Sequence, residues 1–177
     1  MGASKLVFLY ALAAVLSCSC GGAKGRHAAR EYSLGEDVRV GSLSYHVIEA
    51  EWKSQLGEGM LSRSPQRNFL LVRLSVTNGG SQSVSVPQLS LENPSGESYS
   101  ENMEGAGIPN WLGYIRSVAP AQTEEGNLLF DVPTNTYRLK LTDPDDPESK
   151  AAWYINIPLT FNPTGPDPLP IPPIPQQ

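Results

Sequence analysis

The chain has 177 residues, among them 16 Gly and 16 Pro, with 18% charged side chains and a net charge of −5 at pH 7. So low a charged fraction argues against coiled coils and disordered polyelectrolytes, and the length suits one domain. An excess of 18 acidic over 13 basic side chains argues against a nucleic-acid partner, because phosphate binding needs a concentrated basic surface.

Lys5 precedes an unbroken apolar run of 11 residues from Leu6 to Leu16. Spanning a bilayer takes about 20 such residues, so the run reads as the core of a secretory signal peptide. Val15-Leu16-Ser17-Cys18 follows directly. It resembles the lipobox of bacterial lipoproteins, whose cysteine receives a diacylglyceryl thioether and becomes the new N-terminus. Ser17 suits the small position before the cysteine, whereas Val15 and Leu16 depart from the usual Leu followed by a small residue. An ordinary secretory signal cut nearby is the alternative. Cys18 and Cys20 are the only cysteines, so the body of the chain carries no disulfide. As metal ligands they have only His27 close by. The expectation is a signal peptide over 1–17 and lipidation, palmitate included, at Cys18. Two or more acyl chains hold a protein stably to a membrane. Ser19 stands where an Asp would favour inner-membrane retention, which points to the outer membrane in a two-membrane organism.

Residues 18–30 read as a flexible tether, since the stretch GGAKGRHAAR over 21–30 cannot bury a core. Its Lys24, Arg26 and Arg30 would each contribute about 1 kcal/mol beside anionic head groups. A purely solvated spacer fits equally well. At the other end, residues 163–177 form a Pro-rich tail with seven prolines between 163 and 175. Proline excludes helix and central strand there and favours polyproline II. The tail reads as a stiff spacer, or as a partner motif through the loose PxxP spacing of Pro170, Pro172, Pro173 and Pro175.

The body, 31–162, reads as short strands in succession. Asp37 to Val40 alternates, and Tyr45 to Trp52 follows with His46, Ile48, Ala50 and Trp52 on one side and Tyr45 and Val47 on the other. In Phe69 to Val76, Leu70, Val72, Leu74 and Val76 recur at period two and would bury one face, at about 1.5–3 kcal/mol each. Asn78-Gly79-Gly80 signals a turn. Val84 to Val86, Leu89 to Leu91, Asn127 to Val132, Tyr137 to Thr142 and Trp153 to Leu159 continue the rhythm. Asn78, Gly79, Gly96 and Gly126 suit left-handed turn backbone, and Pro133 suits the end of a strand. No window patterns as an amphipathic helix. The expected fold is all-β, an antiparallel immunoglobulin-like sandwich of about seven to eight strands.

Three stretches carry a family resemblance as a set: Phe69 to Asn78, an apolar strand ending in Asn; Leu89 to Tyr99, a strand, a turn Gly and a Tyr; and Gly126 to Pro133, with Tyr137 to Leu141 after it. Over about residues 34–160 the chain resembles a bacterial family of secreted and lipid-anchored domains of unknown function. These are β-sandwiches like the immunoprotective extracellular protein, sometimes mislabelled telomeric repeat-binding factor 2. The resemblance implies a sandwich on the cell envelope and transfers no catalytic residue. The telomere label finds no support in a body with 9 basic and 17 acidic side chains. Residues 100–118 are longer than the connection the resemblance implies.

His46 is the one histidine of the body and has no nucleophile motif beside it. The run Asp143-Pro144-Asp145-Asp146-Pro147-Glu148 offers carboxylates to calcium but lacks the EF-hand spacing, and a plain turn also explains it. Loop 100–118 holds the candidate binding residues Asn110, Trp111, Tyr114 and Arg116. Their aromatic faces and polar donors suit a protein partner or a glycan, unless Trp111 folds back to cover the sandwich. The expected function is a non-catalytic, lipid-anchored envelope module without cofactor or metal. A carbohydrate-binding accessory domain centred on Trp111 and Tyr114 is the alternative.

Overall fold

The computed structural model describes residues 29–113, 116–149 and 151–159. Among these residues are eleven strands, β1 (Arg30–Tyr32), β2 (Asp37–Val40), β3 (Leu43–Lys53), β4 (Asn68–Asn78), β5 (Val84–Ser85), β6 (Ser90–Glu92), β7 (Ser98–Ser100), β8 (Ser117–Val118), β9 (Thr123–Val132), β10 (Tyr137–Leu141) and β11 (Trp153–Ile157). The surplus over the expected seven to eight consists of pieces of two or three residues, too short for a period to show. Among the described residues the only helical piece is a 3-10 turn at Gly59–Leu61, and no helix there is long and apolar enough to cross a membrane.

Alternating apolar residues force a face onto each long strand, and the faces meet as a sandwich. One sheet runs β2-β3-β4-β9, the other β1-β11-β10-β6-β7, and β5 pairs with β8 beside them. Strands β4 and β9 pair in the first sheet while β6 and β10, which follow them, pair in the second. This is the crossing pattern of an immunoglobulin-like sandwich. Leu70, Val72, Leu74, Val76, Leu128 and Phe130 from one sheet meet Leu91, Leu139, Leu141 and Ile155 from the other, all at 0% exposure. The corner from β9 to β10 is fixed by Tyr137, whose hydroxyl donates to the Pro133 carbonyl at 2.6 Å, a tyrosine corner. β9 ends at Val132, just before Pro133.

Three local expectations change. β1 joins the domain by pairing in parallel with β11, Arg30 against Trp153, so Arg30 is a strand residue and not the end of the tether. The pairing of β3 with β4 shifts register between Val47 and Glu49. A bulge adds one residue and reverses the alternation beyond it. Tyr45 and Val47 before it, and Ala50 and Trp52 after it, therefore all pack on the core. His46 turns outward instead, its Nδ1 2.9 Å from Asp37 Oδ1. Of the four positions expected in left-handed backbone, only Gly96 (φ 84) adopts it. Asn78 is kept instead by its fully buried amide: Nδ2 donates to the carbonyls of Gln82 (2.7 Å) and Val118 (2.8 Å), and Oδ1 accepts from Gly80 N–H (2.8 Å).

Replacing Tyr137 with Phe removes the corner bond and leaves the Pro133 carbonyl to find water. Urea denaturation is expected to show a loss of about 0.5–1.5 kcal/mol. An unchanged midpoint would show the corner bond to be without weight.

Candidate functional site

The outer face of the first sheet is apolar at one end. Phe69, Leu71 and Leu129 point away from the sandwich core yet are 3%, 6% and 0% exposed. Water is kept from them by two segments, one between β3 and β4 that contributes Leu56, and loop 101–116 between β7 and β8, which contributes Ile108 and Trp111. The loop also closes the outer edge of β9. Asn127 N–H donates to the Asn110 carbonyl at 2.9 Å, Leu112 N–H to the Asn127 carbonyl at 3.2 Å, and Asn102 N–H to the Leu129 carbonyl at 2.7 Å. The Asn127 side chain donates to the Pro109 carbonyl at 2.7 Å. Only glycine permits this approach at position 126, where a Cβ would lie 2.4 Å from the Asn110 carbonyl oxygen. Asn110 itself is exposed, in left-handed backbone at φ 46.

The loop's two ends are joined inside the protein. Arg116 Nη2 and Nη1 donate to Glu101 Oε1 at 2.7 Å and Oε2 at 2.9 Å, with both side chains 5% exposed. Glu101 Oε1 also accepts from Leu89 N–H, and Arg116 Nη2 donates to the Pro87 carbonyl at 3.0 Å. A bidentate, desolvated pair of this kind fixes geometry more than it adds stability. Arg116 is thus spent on the fold and is absent from the loop's outer surface.

Trp111 is half-buried against the outer cluster, with its ring so close to Gly105 that a Cβ there would lie 2.0 Å from ring carbons. Gly105 therefore packs against the Trp111 ring, which lies over the outer cluster as a lid on the sheet. Tyr114 and Cys18 lie outside the described residues. Between lid and sheet remains a pocket of about 360 Å³ lined by Glu49, Glu51, Lys53, Glu58, Arg73 and Asn127, among others. Arg73 is held between Glu49 (3.0 Å) and Glu125 (3.4 Å). The pocket is polar, and of its three carboxylates Glu49 pairs with Arg73 and Glu51 with Lys53.

The other candidates have structural occupations. The carboxylate of Asp145 accepts from Ser42 N–H at 2.7 Å, and that of Asp143 from Asp145 N–H at 2.9 Å, which ties this turn to the β2–β3 hairpin. Among the described residues no three His, Cys, Asp or Glu side chains gather as a metal site. Burial pushes the Tyr45 phenol well above its ordinary 10.0; Arg116 opposes the shift, and Asp143 and Glu101 add to it. The hydroxyl of Tyr45 has no hydrogen-bond partner among the described residues.

The fold is that of an immunoglobulin-like β-sandwich domain in which a long loop serves as an outer cover. Residues 32–152 match a family described as a domain of unknown function (DUF4352). That is more than half of the chain, and the chain belongs to this family. Three solved structures resemble it in fold. The yjhA protein of Bacillus subtilis is 14% identical, with 72% of this chain and 99% of that one covered at a TM-score of 0.55. ycdA of Bacillus subtilis, classed provisionally as a lipoprotein, is 17% identical, with 71% and 39% covered at 0.51. The secreted protein MPT63 of Mycobacterium tuberculosis is 15% identical, with 73% and 97% covered at 0.51. No curated protein sequence matches the chain.

Glu101→Ala leaves the Arg116 charge buried and unpaired, and a loss of about 3–5 kcal/mol is expected in chemical denaturation. Replacing both residues with Met should recover much of that loss; an equal or larger loss in the double variant would contradict the reading. Tyr45 gives a pH signature. Its folded pKa lies above its unfolded value, so its contribution is complete below about pH 10 and declines as pH rises beyond it. Tyr137, pushed up by burial to about 12, acts in the same direction. Stability measured from pH 9 to 11.5 should therefore fall. Tyr45→Phe should flatten the fall and cost nothing at pH 7, since an unpaired hydroxyl is removed; an unaltered slope would count against this account.

Proposed function

We propose that the chain is an extracytoplasmic module, held to a bacterial membrane by lipid on Cys18, that acts by binding another envelope component and not by catalysis. The observation that carries this reading is the apolar run ending in Val15-Leu16-Ser17-Cys18, set a short tether ahead of a folded sandwich. Between Cys18 and Arg30 lie 11 residues, which reach about 40 Å at most when extended. The domain therefore works close to the membrane surface. The folds of ycdA and of secreted MPT63 support an extracytoplasmic place. The outer-membrane assignment rests on Ser19 alone.

The binding surface this reading favours is the polar pocket between loop and sheet, bordered by Gly107 and Pro109 of the loop that bonds to β9. Its carboxylates suit a cationic or donor-rich group on a protein or an envelope polymer. His46 supports no hydrolytic reading, since its partner Asp37 is 85% exposed and the pair lies on the open sheet surface.

The anchor is tested by feeding labelled palmitate to cells producing wild type or Cys18→Ser. Label should enter the first and be absent from the second; equal labelling would refute the lipid assignment. Crosslinking in intact envelopes, comparing wild type with Glu58→Lys, then tests the pocket. A crosslinked partner lost in the variant supports it, and an unchanged pattern removes the pocket from the proposal.

A further inference from the structure

β3 has two unequal edges. It pairs with β4 from Leu43 to Lys53, but on its other side β2 accompanies it only from Leu43 to His46. Gly35 N–H then donates to the Val47 carbonyl at 3.1 Å, so Val47, whose side chain packs on the core, turns its peptide groups to this second edge. Within a strand, the face a side chain takes and the edge its peptide groups take alternate together. Beyond the bulge Ala50 and Trp52 are the residues on the core side, so they too direct N–H and C=O to the second edge. Among the described residues no strand pairs with them there and no turn bonds to them. Both side chains are only half-buried, and a cleft of about 720 Å³ lies open along residues 48–54.

The side chains on this edge specify its partner. Glu49-Ala50-Glu51-Trp52-Lys53 carries charge on the outer face and apolar residues on the inner one. Charged side chains on an edge ordinarily repel an added strand, but this order is complementary to itself when run antiparallel. With Glu51 opposite Glu51 of a second copy on a two-fold axis, Glu49 faces Lys53 and Ala50 faces Trp52, each twice over. Ala50 and Trp52 then exchange their free backbone bonds, and the smallest of the five side chains stands opposite the largest. The two Glu51 carboxylates meet across the axis, but each already pairs with Lys53 of its own strand. A one-residue slip sets core-facing side chains against outward ones. A two-residue slip toward Ala50 opposes Glu49 to Glu51, and one toward Trp52 leaves three residues paired, with indole against indole. Only the register centred on Glu51 satisfies charge, size and face together.

We propose that two copies of this chain join edge to edge through residues 49–53 of β3, antiparallel about a two-fold axis at Glu51, so that their four-stranded sheets become one continuous sheet. This rests neither on the lipid anchor nor on a ligand in the polar pocket, although Glu49, Glu51 and Lys53 border that pocket as well.

Disulfide trapping tests it on the mature chain, with Cys18→Ser and Cys20→Ser so that no native thiol competes. Glu51→Cys sets two thiols across a non-hydrogen-bonded pair, where Cα atoms about 4.5 Å apart allow a disulfide to close. Met60→Cys, at the most exposed apolar side chain (103%), reports random collision. Under mild oxidation Glu51→Cys should give covalent dimer at least about tenfold faster than Met60→Cys. Adding Ala50→Pro to Glu51→Cys removes an N–H from the free edge but none from the pairing with β4, and should return trapping to the collision rate. Should that variant fail to fold, the charges decide. Glu49→Lys and Lys53→Glu, each added to Glu51→Cys, set like charges across the axis and should slow trapping, whereas an equal mixture of the two chains should recover it. Equal rates for Glu51→Cys and Met60→Cys would overturn the proposal. So would a mixture no faster than either chain alone, or a folded Ala50→Pro chain that is trapped at the full rate.

Discussion

Leu71 and Leu129 lie on the side of their sheet that faces away from the sandwich, yet water scarcely reaches them. That demand for a second apolar layer organises much of the molecule. It requires Leu56, Ile108 and Trp111 to be brought over the sheet, which requires a long loop between β7 and β8. A loop laid so close to β9 requires glycine at 126 and at 105. Its departure and return must also be held at fixed points, which Glu101 and Arg116 do from inside the protein. The cover in turn serves the sheet, since an uncovered β9 would expose a row of unpaired backbone groups to other chains.

The sandwich was legible because Leu70, Val72, Leu74 and Val76 alternate over a long stretch and dense turn signals separate the strands. The outer cover was legible too, though in a different signal. Phe69-Leu70-Leu71-Val72 and Leu128-Leu129-Phe130 are continuous apolar runs, and a strand apolar at consecutive positions is buried on both faces. Reading only the even positions of β4 left open which surface Trp111 would cover on folding back. The face of His46 was not legible, because a single extra residue at the bulge reverses every later side chain and no local sequence feature announces it. Asn78 and Arg116 share another limit. Each is a polar residue near a turn or loop, and only the tertiary structure shows that Asn78 Nδ2 and the Arg116 Nη atoms bond to carbonyls and a carboxylate of other segments.

The buried polar groups divide into two kinds. Asn78 and the Glu101–Arg116 pair bond to backbone or to each other across separate elements, and so discriminate the native arrangement from near alternatives, whereas Asn93 bonds within its own turn, to Ser95 and Glu97. Tyr45 and Trp153 bury a hydroxyl and an indole N–H without partners among the described residues, an outlay tolerated because their rings fill the core. Specificity therefore resides where polar bonds link separate segments, and bulk stability resides in the apolar layers on either side of β4.

The parallel pairing of β1 with β11 has a mechanical consequence. The chain enters the domain at Arg30, beside the start of β11, and leaves after Ile157 at its far end. A force applied between the entering and the departing chain pulls these two strands along their length in opposite directions. The hydrogen bonds between them are then loaded together in shear and do not open one at a time as they would in a zipper. A domain tethered at one end and gripped at the other would resist extension through its first three residues of strand.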